Sequence, residues 1–400
     1  MLSYYKFRTE ITNEFGVSEG AVRNWIKKAL AGEIDLELTE VNGKKLILKN
    51  QKNYNLINAL AQEGKKYKSL EDREIVLVDE AAYSHLDKNQ VIGILGSLES
   101  NKSIPHKYFY LNGGADYWEN FYEVSLKDSQ YTTSHSDLYY FDNCYHLIKD
   151  NFHKFEKINI VDIGQGNGEP ALGLLKKLDK EGILNSYTAI DISPNMLEHA
   201  KKHICKALPS LKTNFVVLDF ENKSLSDVLH SIRHSGAKHP ILILGLGGTL
   251  FNRINNLHTF FNIIDSMQKD DLVCVTNAFV ENERSNYNFT IKSIPEMYKL
   301  HTWLARKFGL SEELTDVELR FNEKTGFREL NLVLKKDLEL VFKNPEYTIN
   351  LYKHDRVNIW LHKKDTFSSI SKLAEELSMK LKMIVKHPVY ENVMYMMGKS

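Results

Sequence analysis

Residues Val161–Pro170 read VDIGQGNGEP, an apolar strand that ends in an acid and runs into glycines at 164, 166 and 168. INIVDI precedes the turn and ALGLLKKLDKEG follows it, a strand period and then a helix period. A glycine turn between strand and helix cradles a nucleotide-like ligand, because glycine allows the tight backbone and the helix start points its amides outward. The spacing separates the candidates. A dinucleotide fingerprint is G-x-G-x-x-G, with its third glycine packing helix on sheet. Here the third glycine comes one position early, and Glu169 at the helix mouth would repel a pyrophosphate. S-adenosylmethionine (SAM) has no phosphate, only a sulfonium, a zwitterionic end and a ribose, and it is compatible with acids at Asp162 and Glu169. The expectation is a SAM cradle that uses Asp162, Gly164, Gly166 and Gly168.

The next three strand ends support it. YTAIDISPNMLEHAKKHI ends an apolar strand at Asp191, placed to take the ribose hydroxyls, and Ser193-Pro194 opens the following helix. NFVVLDFEN ends in Asp219-Phe220, an acid for the adenine amino group and an aromatic for its ring. PILILGLGGTLFN ends in a second glycine-rich turn. Strands alternating with helices over about 155–280 predict an α/β, doubly wound, Rossmann-like sheet.

The chain has 400 residues, enough for two or three domains, and 42% are hydrophobic. Lys+Arg and Asp+Glu balance at 52 each, so any nucleic-acid role is local. Cys144, Cys205 and Cys274 are widely spaced, which excludes a disulfide framework and fits a reducing compartment. No apolar run is long enough for a membrane, and MLSYYKFRTE has no signal-peptide core. The expectation is a soluble, cytoplasmic protein. No HExxH or Cys/His cluster suggests a metal, and His199 and His203 read as a solvated helix face.

Residues 1–70 read as a small winged helix-turn-helix-like domain. TEITNEFGVSEGAVRNWIKKALAG gives a helix with Ile11 and Phe15, a turn at Gly16 and Val17, and a second helix capped by Ser18 with Val22 and Trp25 inward. Arg23, Asn24, Lys27 and Lys28 fall on its outer face, where they would meet DNA. The hairpin signal Asn42-Gly43 follows, then a third helix. Residues 1–68 hold twelve Lys/Arg against eight Asp/Glu, a net of +4. Such units also dock proteins, and one copy would hold DNA weakly unless the chain forms a homodimer. Residues 71–102 read as a connector. Residues 103–400 read as one unit, with a strand-rich substrate lobe from about 103–150 and 281–400.

The 103–400 region resembles the SAM-dependent methyltransferases related to the histidine Nα-methyltransferase of ergothioneine biosynthesis, a group that includes fungal enzymes acting on amino-acid-derived amines. The motifs run in order: KYFYLNGGADYWENFYEV, QYTTSHSD, VDIGQGNGE, AIDISPNML, LGLGGTLFN and ELRFNEKTGFRELNLVLKKD. The resemblance implies SAM contacts from Tyr131, Gly164, Asp191, Asp219 and Phe220. It implies acceptor contacts from Tyr110, Asn252 and Tyr287, with Asn252 and Tyr287 orienting the amine for transfer. The family's Thr-Glu-x-Ser-x-Lys lid pattern falls on TINLYK, where Ile349 and Leu351 replace the Glu and Ser that grip imidazole, and Thr132 and Ser134 replace its Pro and Arg. The expected reaction is therefore N-methylation of an amino-acid-like small molecule other than histidine. Two alternatives stand beside it: a DNA-binding regulator that senses SAM or a metabolite, and a methyltransferase acting on a macromolecule. The Asn/Asp-Pro-Pro-Tyr/Phe motif of base methylation is absent.

Overall fold

The computed structural model describes residues 8–17, 19–41, 44–68, 73–84, 86–127, 132–234, 239–253, 256–281 and 295–399. They form two compact units, one of residues 1–75 with 337–339, the other of 76–336 with 340–400.

In the first unit, helices Arg8–Phe15 and Glu19–Leu30 are joined by a turn at Gly16, whose φ of 63° is a glycine conformation. Strands β1 (Leu38–Val41) and β2 (Lys44–Ile47) pair antiparallel, and helix Gln51–Lys68 follows. Ile11, Phe15, Val22, Trp25, Ile47 and Ile57 make the core. The buried Asn53 amide ties the last helix to the hairpin's flanks, accepting from Glu37 N–H at 2.9 Å and donating to the carbonyls of Glu37 (2.8 Å) and Leu48 (2.9 Å). Since Val22 and Trp25 take the inner face of their helix, Arg23, Asn24, Lys27 and Lys28 are exposed. Ser18 and Asn42-Gly43 lie outside the described residues.

The second unit is built on a seven-stranded sheet. β4 (Ile158–Ile163), β5 (Leu184–Asp191), β6 (Thr213–Val217), β7 (Ile241–Gly245) and β8 (Leu272–Ala278) run parallel. β14 (Met379–Lys386) and β15 (Asn392–Lys399) complete the order β14-β15-β8-β7-β4-β5-β6, with β15 antiparallel to both neighbours. Helices cover both faces, so β4 is buried along its whole length and mostly apolar: Ile158 and Ile160 point into one core, Val161 and Ile163 into the other. Chain order reverses at β4, which has β5 on one side and β7 on the other; in open α/β sheets the ligand crevice opens at such a point, at the strands' C-terminal ends.

β9 (Thr315–Asn322), β10 (Phe327–Leu334) and β13 (Arg356–His362) form an antiparallel lobe sheet. β11 (Leu338–Lys343) and β12 (Glu346–Leu351) belong to another three-stranded sheet with β3 (Glu74–Leu77). One boundary differs from the sequence reading. Residues 379–399 do not join the lobe but return to the core sheet, because β15 finds its partner in β8. Among the described residues, no helix is long and apolar enough to cross a membrane.

Candidate active site

The ends of β4, β5 and β7 make one wall of a cavity of about 1100 Å³. Gly164, Gly166 and Gly168 all take positive φ, at 60°, 59° and 78°. Space forbids a side chain there as well. A Cβ on Gly164 would lie 2.5 Å from Thr249 Cγ2, and one on Gly166 would lie 2.4 Å from the Trp118 ring. Gly168 starts helix Glu169–Lys180 against Ile204 of the next helix. The early third glycine therefore serves the helix packing that the dinucleotide pattern assigns to a later one.

Asp191 lines the cavity, is 7% exposed, and accepts from the Ser193 N–H at 2.8 Å. Ser193 caps the following helix as expected. Asp219 and Phe220 also line the cavity, but Asp219 is already engaged: Lys107 Nζ is 2.6 Å away and Asn222 Nδ2 2.8 Å. Arg253 lies 5.4 Å over the Phe220 ring and 3.0 Å from Glu221. Asp162 does not reach the cavity. Side chains alternate along a strand, so Asp162 shares the face of Ile158 and Ile160 and accepts from Tyr187 OH at 3.0 Å beneath the turn. Glu169 likewise turns outward, 3.5 Å from His203.

Helix Gly114–Ser125 covers the glycine turn through Trp118, which stacks on Tyr122. Asp137, on helix Thr132–Asn143, and Gln165 bring buried oxygens to this half of the cavity, and Asp137 Oδ1 and Gln165 Oε1 have no hydrogen-bond partner among the described residues. Burial pushes the carboxyls of Asp137 and Asp191 up to about 7. Trp118, Asp137 and Gln165 escape the sequence reading; the Trp118 contact with Gly166 has no local signature.

The other half is lined by rings. Tyr110 meets His106 edge-on at 5.0 Å, His106 Nε2 is 3.2 Å from His301 Nδ1, and His301 is 5.3 Å from Trp360. Trp360 stacks on His362 at 5.7 Å and 8°. Burial keeps these imidazoles neutral, holding His301 and His362 down to about 3. Asn252 Oδ1 accepts from His362 Nδ1–H at 2.9 Å. Ile349 and Leu351, in contrast, are buried in the sheet of β11 and β12 and do not line the cavity. On β13 and just beyond it, Trp360, His362 and Lys364 do line the cavity. Tyr131 and Tyr287 lie outside the described residues.

The profile of the family described as "Histidine-specific methyltransferase, SAM-dependent" matches residues 88–397. The chain belongs to this family. The match begins inside the stretch read as a connector and leaves out the N-terminal unit. No curated protein matches this methyltransferase. Among solved structures, it is similar to an S-adenosylmethionine-dependent methyltransferase from Clostridium acetobutylicum ATCC 824, at 10% identity and TM-score 0.41 over 71% of this chain and 99% of that one. It is also similar to the magnesium protoporphyrin IX methyltransferase of Synechocystis PCC 6803 with bound SAH, at 10% identity and TM-score 0.39 over 74% and 97%.

The cavity suits the family's cofactor. Buried acceptors without partners line its first half and match a ligand that carries a sulfonium and an ammonium. SAM, when bound, supplies an electrophilic methyl group for in-line displacement. Asp191 would take the ribose hydroxyls, and the glycine turn under Trp118 would hold the methionine end.

Proposed function

We propose that the enzyme N-methylates a small, amino-acid-like amine bearing a planar ring. The Asn252–His362 bond carries this reading. Because Asn252 Oδ1 is taken by His362 Nδ1–H, the Asn252 amide offers its NH₂ as a donor and His362 keeps Nε2 as an acceptor. An amine needs an acceptor to orient its N–H and lone pair, and no strong base if it arrives unprotonated. The ring goes to the wall of Tyr110, His301 and Trp360, which can stack; Glu329 and Glu391 on the same side are taken by Arg320 and Lys364 and are not offered to an imidazole. Histidine is thus a poor acceptor. Incubating the protein with labelled SAM and a panel of histidine, tryptophan, tyrosine and their amines should methylate the indole and phenol compounds faster than histidine. Histidine as the fastest acceptor would overturn the ring assignment, and no transfer to any panel member would overturn the acceptor class.

We further propose that the N-terminal unit docks DNA. The exposed row Arg23, Asn24, Lys27 and Lys28 on helix Glu19–Leu30 supports it, with two lysines in the last turn. A mobility shift at moderate salt should weaken when Lys27 and Lys28 are replaced by Ala, and the salt slope should fall by about one for each phosphate that a missing lysine leaves unneutralised. Binding that ignores both lysines, or no shift on any DNA, would leave protein docking as the unit's role.

A further inference from the structure

Beyond the end of β6 the cavity is lined by two acids, Asp219 and Glu221, and two cations, Lys107 and Arg253. The cations differ in what they have left to offer. Arg253 is committed to the protein: Nη2 donates to the Thr249 carbonyl at 3.3 Å and lies 3.0 Å from Glu221, and Nη1 donates to Thr259 Oγ1 at 3.0 Å. The Lys107 ammonium has three N–H bonds to give. Among the described residues it has one acceptor at hydrogen-bond distance, Asp219 Oδ2 at 2.6 Å, while Glu221 stands 3.6 Å away and the Tyr108 ring centroid 5.4 Å. Its side chain is only 11% exposed, so partners for the other N–H bonds come chiefly from whatever fills the cavity.

Asp219 is in the opposite condition. A carboxylate accepts at about four lone-pair sites. Lys107, Asn222 Nδ2 at 2.8 Å and the Glu221 N–H at 3.2 Å take three of them. About one acceptor site and up to two ammonium N–H bonds therefore stand side by side, next to the Phe220 ring. That arrangement complements the edge of adenine on which a donor, the amino group, adjoins an acceptor, N1. An acid without the lysine would read the amino group alone.

We propose that Lys107 reads the cofactor's adenine, donating from Nζ to N1 while Asp219 accepts from the amino group. The inference rests on the reading that Asp219 and Phe220 take the adenine. It makes Lys107 a specificity residue for the cofactor that does not touch the transferred methyl. It also makes the Lys107–Asp219 pair a preformed reader of the base, not a plug that has to open before the cofactor enters.

The test titrates the 400-residue chain with SAH and with its 1-deaza analogue, in which N1 is replaced by C–H. The wild-type chain should bind SAH about 10- to 100-fold tighter, the range of a hydrogen bond from a charged donor. Lys107→Met should remove that margin by weakening SAH, and should leave the 1-deaza analogue nearly unchanged, which serves as the check on folding. Lys107→Arg keeps a charged donor and should retain part of the margin. Equal affinities of the wild-type chain for the two ligands, or a margin that survives Lys107→Met, would overturn the proposal. So would tighter binding of SAH by Lys107→Met, which would make the lysine a plug. Phe220→Ala separates this inference from the reading beneath it. With adenine at this corner it should weaken both ligands alike, whereas full SAH affinity in that variant would displace the adenine and the lysine contact together.

Discussion

Replacing Asp191 by Ala lowers the affinity for SAH by about 100- to 10,000-fold in a calorimetric titration. Asp191 ends β5 at the rim of the cavity, nearly buried, with its carboxylate oriented by the Ser193 N–H. A carboxylate that takes both ribose hydroxyls makes two charge-assisted bonds, each about 1.5–3 kcal/mol where the partners are out of water. Losing both gives the stated range. Asp191→Asn keeps the shape and loses the charge, and it should fall between the two. Asp219→Ala should cost less, because Lys107 and Asn222 already occupy that carboxylate. Full affinity in Asp191→Ala would show that the ribose sits elsewhere.

The cofactor half of the site is readable in the sequence because its information is local. An apolar strand, a glycine turn and a helix lie within about twenty residues, and the ligand-facing acids sit at strand ends that periodicity locates. Even there one residue is misassigned by its identity. Asp162 belongs to the Ile158 and Ile160 face, and only the alternation of side chains, not the identity of the residue, shows that it turns under the cradle. The rest of the site depends on pairs far apart in the chain. Asn252 meets His362, Lys107 meets Asp219, and Trp118 closes on Gly166. Nothing in a single sequence states such pairings. Nothing local to TINLYK tells that its strand, β12, pairs with β11 and keeps Ile349 and Leu351 out of the cavity, while Trp360 and His362 of β13 line it. The last two strands illustrate the same point. Their pattern predicts β structure, but their place beside β8 comes from the fold.

Affinity for SAH should fall as pH drops below 7, in steps set by Asp137 and Asp191. Burial raises both carboxyls from 3.8 to about 7, with Asp162 close behind them and raised to about 7 by the same cause. Below 7 the two cavity acids are protonated and neutral. A neutral acid neither attracts an ammonium nor serves as a full acceptor for ribose hydroxyls, so binding must first release the proton. Each such proton lowers the apparent affinity about tenfold per pH unit, and the two together lower it about a hundredfold per unit once both are protonated. Stability of the ligand-free chain should respond with the opposite sign. Since these carboxyls hold protons in the folded state that the unfolded chain releases above 3.8, their contribution to stability declines as pH rises from about 4 to 7. Calorimetry at about pH 5.5, 6.5 and 7.5, in buffers of different ionisation enthalpy, would read the affinity and the proton release together, while thermal melts follow the free protein. Asp137→Asn should remove about one proton from the linkage, and SAH affinity that stays flat across this range would show that neither acid ionises on binding.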